Sequence, residues 1–170
     1  MNDYDMEQFN LFYAQKISAE DLAKKIKQGK ENLSHFILTE LIHANKTKSA
    51  ELLEDVVILL FLYKDIERCH ILKILCKIIL EDWHYKHEDI ARLLQEWKKP
   101  QAVQSLFEAC TMKFDYLDFD DSYALAVKCI WALGDIATKE SFEKLKLLSK
   151  SNNTVIKENA CHQLKKHSIT

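Results

Sequence analysis

Only two glycines, Gly29 and Gly134, and one proline, Pro100, punctuate the 170 residues of this chain. Two-residue hairpin turns rely on glycine or asparagine in left-handed backbone, so a sequence this poor in them cannot close the many tight turns of a sandwich or barrel. Leu, Lys, Glu, Ile and Ala fill the chain instead, and apolar residues recur at three- and four-residue spacing. The pattern predicts an all-α fold. Its length suits a single domain that buries a sizeable core without metals or disulfides.

Caps and periods place the helices. Ser18 followed by Asp21 reads as a capping box, and Gly29 sits where a helix end needs a left-handed residue, which bounds a helix at 18–28. Further helices are expected over about 5–16, 31–45, 49–63, 66–82, 87–97, 100–110, 122–136, 139–150 and 154–167. The longest apolar run, Val56 to Tyr63, is far short of the ~20 residues that span a bilayer and reads as a buried helix.

A faint internal repeat organises the second half. Leu125, Cys129, Ile130 and Leu133 recur 31 residues later as Ile156, Ala160, Cys161 and Leu164, and Ile71, Leu75, Cys76 and Ile79 show the spacing once more. Val103, Leu106 and Ala109 match Phe142, Leu145 and Leu148 at a separation of 39. The difference of eight residues locates an insertion within 111–121. Two-helix repeats of this length signal an α-solenoid, in which each pair buries its apolar face by stacking on its neighbours.

Here the chain resembles the HEAT-repeat family, in particular its short bacterial lyase-type repeats. The resemblance rests on Lys99-Pro100-Gln101-Ala102-Val103 with Leu106, on Ala132-Leu133-Gly134-Asp135-Ile136, and on Val155-Ile156 with Ala160-Cys161 and Leu164. The basic residue such repeats carry after the first apolar position is present as Lys157 but replaced by Ala126 one repeat earlier. It implies one HEAT-like domain over 1–170, an α-solenoid of about ten antiparallel helices in pairs, with its clearest repeats at 87–167.

Chemistry-bearing patterns are sparse. Cys69, Cys76, Cys110, Cys129 and Cys161 form no CxxC pair and no zinc-finger spacing, and read as reduced core residues. His84, His87 and Glu88 beside Glu81 and Asp82 are the nearest approach to a metal set, but His87 fits better as the start of a helix whose first turn holds Glu88 and Asp89. Gly-rich phosphate loops, nucleophile elbows and HExxH are missing, so neither enzyme nor cofactor is expected. Trp83 and Trp97 read as core or hinge residues, Trp131 as outward-facing. A net charge of -2 disfavours nucleic acid as a direct partner, and the acidic start MNDYDMEQF lacks the features of a secretory leader. A cytoplasmic protein, monomeric when free, is expected.

The insertion carries the functional expectation. From Glu108 to Asp121 five acids stand against one lysine, with Phe114, Tyr116 and Phe119 interleaved. Insertions in repeat proteins emerge on one face, often the binding face, where aromatics beside carboxylates anchor a basic partner. The alternative is a loop whose rings tuck onto the core while its acids face water and cap the helix at Ser122. Asp115, Asp118, Asp120 and Asp121 lack the glycine and terminal glutamate of an EF-hand. In size, fold and acidic loop the chain resembles single-domain immunity proteins of bacterial toxin systems, which implies occlusion of a basic toxin, with a nuclease as one class of candidate. The contact residues expected are Asp115, Tyr116, Asp118, Phe119, Asp120 and Asp121. An adaptor using a concave solenoid face is the second expectation, and a HEAT-like DNA-repair enzyme the third.

Overall fold

The computed structural model describes residues 1–117 and 122–169, and among these it holds ten α-helices and no strand. The chain divides into two compact units, 1–71 and 72–170, with the division inside one helix.

The first unit comprises α1 (Asp3–Tyr13), α2 (Ala19–Lys27), α3 (Leu33–Thr47), α4 (Ala50–Leu62) and the start of α5 (Cys69–Ile78). The capping box at Ser18 forms as its sequence requires: Asp21 N–H donates to Ser18 Oγ at 3.1 Å and Ser18 N–H to Asp21 Oδ2 at 3.2 Å. Gly29, at φ +79°, follows the end of α2 in left-handed backbone. Helix α2 packs on α1 and α4, and α3 on α4, burying Phe9, Leu22, Ile26, Ile37, Leu41 and Leu53. The Val56 to Tyr63 run lies in and just beyond α4, where Val56, Val57, Leu59 and Leu60 are buried. Among the described residues no helix is long and apolar enough to cross a membrane. Asp5, also buried, is neutralised by Lys30, whose Nζ meets both carboxylate oxygens at 2.9 Å.

The second unit holds the rest of α5, then α6 (His87–Trp97), a 3-10 turn at Pro100–Ala102, α7 (Val103–Ala109), a second 3-10 turn at Asp115–Leu117, α8 (Ala124–Ile136), α9 (Lys139–Leu148) and α10 (Thr154–Lys166). Helix α8 packs against α6, α7, α9 and α10, while α7 also meets α9 and α9 meets α10. The repeated apolar positions supply those contacts: Leu125, Cys129, Ile130, Leu133, Ile156, Ala160 and Leu164 are all buried. Gly134 has a packing role that sequence alone hides. A Cβ there would lie 2.2 Å from Oε1 of the fully buried Gln163, so α8 and α10 meet through a glycine notch filled by a glutamine.

Two sequence expectations need correction, and one feature of the helix ends was not anticipated. Cys69 is exposed and Cys76 and Cys161 are half-buried, leaving only Cys110 and Cys129 in the core. Ser122 is not the cap of α8; Tyr123 takes that place in left-handed backbone at φ 53°, without a side-chain cap bond. Helix ends are also made without glycine: Lys48, Lys98 and Ala137 each close a helix at φ between 50° and 54°. A Cβ in that region clashes with the following carbonyl, so each of these caps carries strain that glycine would relieve.

Candidate partner-binding site

The chain between α7 and α8 runs from 110 to 123, against 149 to 153 for the connection between α9 and α10, so the first is the longer connection. Of the residues singled out in it, Asp118, Phe119, Asp120 and Asp121 lie outside the described residues. Asp115 and Tyr116 are described, in the 3-10 turn at 115–117, where Leu117 N–H donates to Phe114 O at 2.8 Å.

What holds this turn is a histidine pair on the preceding segment. His84 and His87 are both fully buried, with rings stacked 4.1 Å apart at an interplanar angle of 22°. The hydrogen bonds fix their tautomers. Nδ1 of His84 accepts from Lys86 N–H at 3.1 Å, so Nε2 carries the proton and donates to Ile78 O at 2.8 Å. Nε2 of His87 donates to Glu81 O at 2.7 Å, which leaves Nδ1 to accept from the Tyr116 hydroxyl, also at 2.7 Å. Both imidazoles are neutral and all four nitrogens are engaged. Burial, reinforced by His84, depresses the His87 pKa to about 4.

Rings close around this pair. Phe114 is buried with its centroid 3.8 Å from that of His87, and Trp83 meets His84 edge-on at 4.9 Å. Tyr116 is half-buried, its phenol pKa raised to about 12 by burial and then by the Glu88 carboxylate. Tyr85 stands edge-on to Tyr116 at 5.2 Å and 87°, and is 69% exposed. The sequence expectation for the rings thus divides: Phe114 tucks fully inward, while Tyr116 gives its hydroxyl to His87 and keeps part of its ring at the surface. Asp115 is exposed beside it. Sequence reasoning missed Tyr85 altogether and His87 as a strut. The available signal was the aromatic interleaving of Trp83-His84-Tyr85 ahead of His87.

No group of three or more His, Cys, Asp or Glu side chains is placed to hold a metal ion among the described residues. The histidines considered for one are instead committed to Ile78, Glu81, Lys86 and Tyr116.

A second surface lies on α8 and α10. Trp131 is 39% exposed, donates its indole N–H to Asn159 Oδ1 at 3.2 Å and stacks on His162 at 5.7 Å and 21°. Polar ties between helices flank it: Lys128 pairs with Glu88, and Asp135 accepts from Gln95 at 2.7 Å and pairs with Lys166 at 3.3 Å.

Two open clefts lie on the first unit. One, of about 570 Å³, is lined by residues that include Tyr13, Lys16, Ser18 and Asp21, and the other, of about 370 Å³, by Asn32, Ser34, His35, Leu38, Glu67 and His70. Ser18 and Asp21 are spent on capping α2. Tyr13 donates its hydroxyl to Asp55, a carboxyl that burial lifts to about 6, and so ties α1 to α4. In the smaller cleft His70 faces Glu67 at 3.7 Å, and Glu67 holds the Cys69 amide at 2.8 Å, a local turn contact.

Comparison of the chain with protein-family models, curated proteins and solved structures finds no match.

Proposed function

We propose that this chain is a non-catalytic protein-binding module of the α-solenoid type that docks a basic protein through the insertion between α7 and α8, as a bacterial immunity protein docks and occludes its cognate toxin. The observation that carries the reading is the mounting of that insertion. Its base is fixed by Phe114 and Tyr116 on His87, while Asp115 and part of Tyr116 remain at the surface and three further acids, Asp118, Asp120 and Asp121, follow directly. Root residues held rigid lose little entropy on binding, and carboxylates next to rings suit partner Arg and Lys side chains.

The solenoid element of the proposal rests on the packing of alternate helices in the second unit. Helices α6, α8 and α10 pack in succession, and α7 packs on α9, as two layers of stacked helix pairs would. The surfaces with which nucleases hold the phosphate backbone are basic, and a run of carboxylates can imitate that backbone, which favours a nuclease among toxin classes.

Trp131, exposed and stacked on His162, supports a second reading, in which an adaptor or assembly factor uses the face of α8 and α10. The test is recovery of the chain with its native neighbours, followed by calorimetry of the recovered partner against loop and Trp131 variants. One tight basic partner lost with the loop acids supports the immunity reading. Loss with Trp131→Ala alone supports the adaptor, and salt-sensitive binding to duplex DNA would replace both with a nucleic-acid function.

A further inference from the structure

The insertion does not stand alone at its surface. Tyr85 is among the large side chains the fold leaves exposed, at 69% the most open of those described, and its position is set by rigid neighbours. It lies between His84 and Lys86, whose side chain and backbone are hydrogen-bonded to each other, and its ring meets Tyr116 edge-on. Tyr116 is in turn held by the buried His87. One edge of Tyr85 is therefore fixed while much of the ring remains open to water.

Acidic groups lie near the inner phenol and the histidine that holds it. Glu88 and Asp89 are near enough to disfavour ionisation of Tyr116, and Asp82 acts on His87 beneath it. Glu88 and Asp89 already have cations, Lys128 and Lys86. Asp82 and Asp115 are exposed and form no ion pair among the described residues. The π-face of a phenol is electron-rich and attracts a guanidinium or ammonium, and adjacent carboxylates add Coulomb attraction and hydrogen-bond acceptors. This combination selects cations over anions and over plain apolar groups.

We infer that Tyr85, backed by Tyr116, with the exposed Asp82 three residues before it and the exposed Asp115 next to Tyr116 in the chain, is a seat for an arginine or lysine side chain of a partner protein. The inference rests on the reading of the insertion as a docking site and extends that site from 111–121 onto the turn at 82–85. Arginine suits the seat better than lysine, because its planar group stacks on one ring while its N–H fork reaches a carboxylate. The seat is formed before the partner arrives, since its ring positions depend on neutral histidines and backbone acceptors within the second unit.

The full chain titrated at low salt with an arginine-rich peptide, by calorimetry and by Tyr85 ring resonances, tests this directly. Tyr85→Ala is expected to weaken peptide binding about tenfold with the melting temperature unchanged, since the side chain is exposed and a cation over a ring in a partly dried site is worth roughly one to two kcal/mol. Tyr85→Phe keeps the ring and retains most of the affinity, whereas Tyr85→Leu keeps apolar bulk and loses it. Equal binding by Tyr85→Ala and the parent chain, or equal binding by the Leu and Phe variants, would overturn the seat. The triple change Asp118→Asn, Asp120→Asn, Asp121→Asn separates the two proposals. If it abolishes binding while Tyr85→Ala does not, the insertion reading survives and the seat fails. If Tyr85→Ala weakens binding while the triple change has no effect, the seat survives and the insertion is not the anchor.

Discussion

The Tyr116 hydroxyl donates to Nδ1 of His87, 29 residues earlier, at 2.7 Å, and His87 passes the connection on to the backbone of the preceding turn through Glu81 O. This bond ties the root of the insertion to α6. It requires a neutral imidazole, and the ring lies in a site with no solvent exposure.

Acid should therefore loosen the second unit at this point. The folded His87 pKa is lowered to about 4, below the ordinary 6.5, so the neutral form is favoured by folding. The corresponding stability is fully present above pH 6.5 and is lost as pH falls through 6.5 towards 4, in total about 3 kcal/mol at most. Tyr116→Phe removes the donor and leaves a buried nitrogen unsatisfied, a loss of about 1 to 2 kcal/mol at pH 7. The same variant should lose less on acidification, because the bond it removes favours the neutral imidazole. Denaturant melts of both chains from pH 7 to 4, with hydrogen exchange at the 111–117 amides, check both effects.

The first unit should respond in the opposite sense. Burial lifts the Asp55 carboxyl to about 6, so its stabilising form is the protonated one. That contribution is fully present below the unfolded value near 3.8, is lost as pH rises through 6 and is absent at neutral pH. Asp55→Asn keeps an oxygen for the Tyr13 hydroxyl and removes the charge. A gain of about 1 kcal/mol at pH 7, discounted for the partial exposure of the site, is expected, and it should vanish at pH 4. Chemical denaturation of this variant at the two pH values measures it.

Helix ends closed by residues other than glycine offer a third check. Ala137 ends α8 at φ 54° and Lys98 ends α6 at φ 50°. Replacing either with glycine should stabilise the chain by about 0.5 to 1 kcal/mol, because relief of the left-handed clash exceeds the extra entropy of the unfolded glycine. Thermal melts of Ala137→Gly, Lys98→Gly and the pair should show a gain in each, and any departure from additivity reports coupling between α6 and α8, which pack together.

At the notch between α8 and α10, Gly134→Ala places a methyl 2.2 Å from the Gln163 amide oxygen. The change should destabilise by about 1 to 3 kcal/mol, as overpacking does, despite the better helix propensity of alanine. Gln163→Ala in the same chain makes room for the methyl. Recovery of most of the loss in a double-mutant cycle is the expected result.

These sites also show where sequence reasoning stops. Ser18 with Asp21 and the repeat Leu125, Cys129, Leu133 were legible because local spacing fixes both a cap and the buried face of a helix. The left-handed caps at Lys98 and Ala137 were not, since neither residue prefers that backbone and the surrounding helices impose it. The segment after Asp121 likewise suggested Ser122 as a cap, but the backbone turns one residue later, at Tyr123. The pairing of His87 with Tyr116 and of Gly134 with Gln163 spans 29 residues in each case and depends on which helices meet. Composition does not encode it. Of the candidate site, the acids and rings could be named from the sequence, whereas the histidine strut beneath them needed the fold.

The central claim, that the insertion is the anchor for a protein partner, is tested most directly by calorimetry. The partner recovered with the chain is titrated into the parent and into the variant carrying Asp118→Asn, Asp120→Asn and Asp121→Asn. A loss of several kcal/mol in affinity is expected if the charge pairs are desolvated, given couplings of ~1.5 to 7 kcal/mol for close interfacial pairs. Stability should shift by no more than about 0.5 kcal/mol, or about 1 if Asp121 supports the start of α8. Unchanged affinity in a variant that remains folded would contradict the claim and move the binding site to the face that carries Trp131.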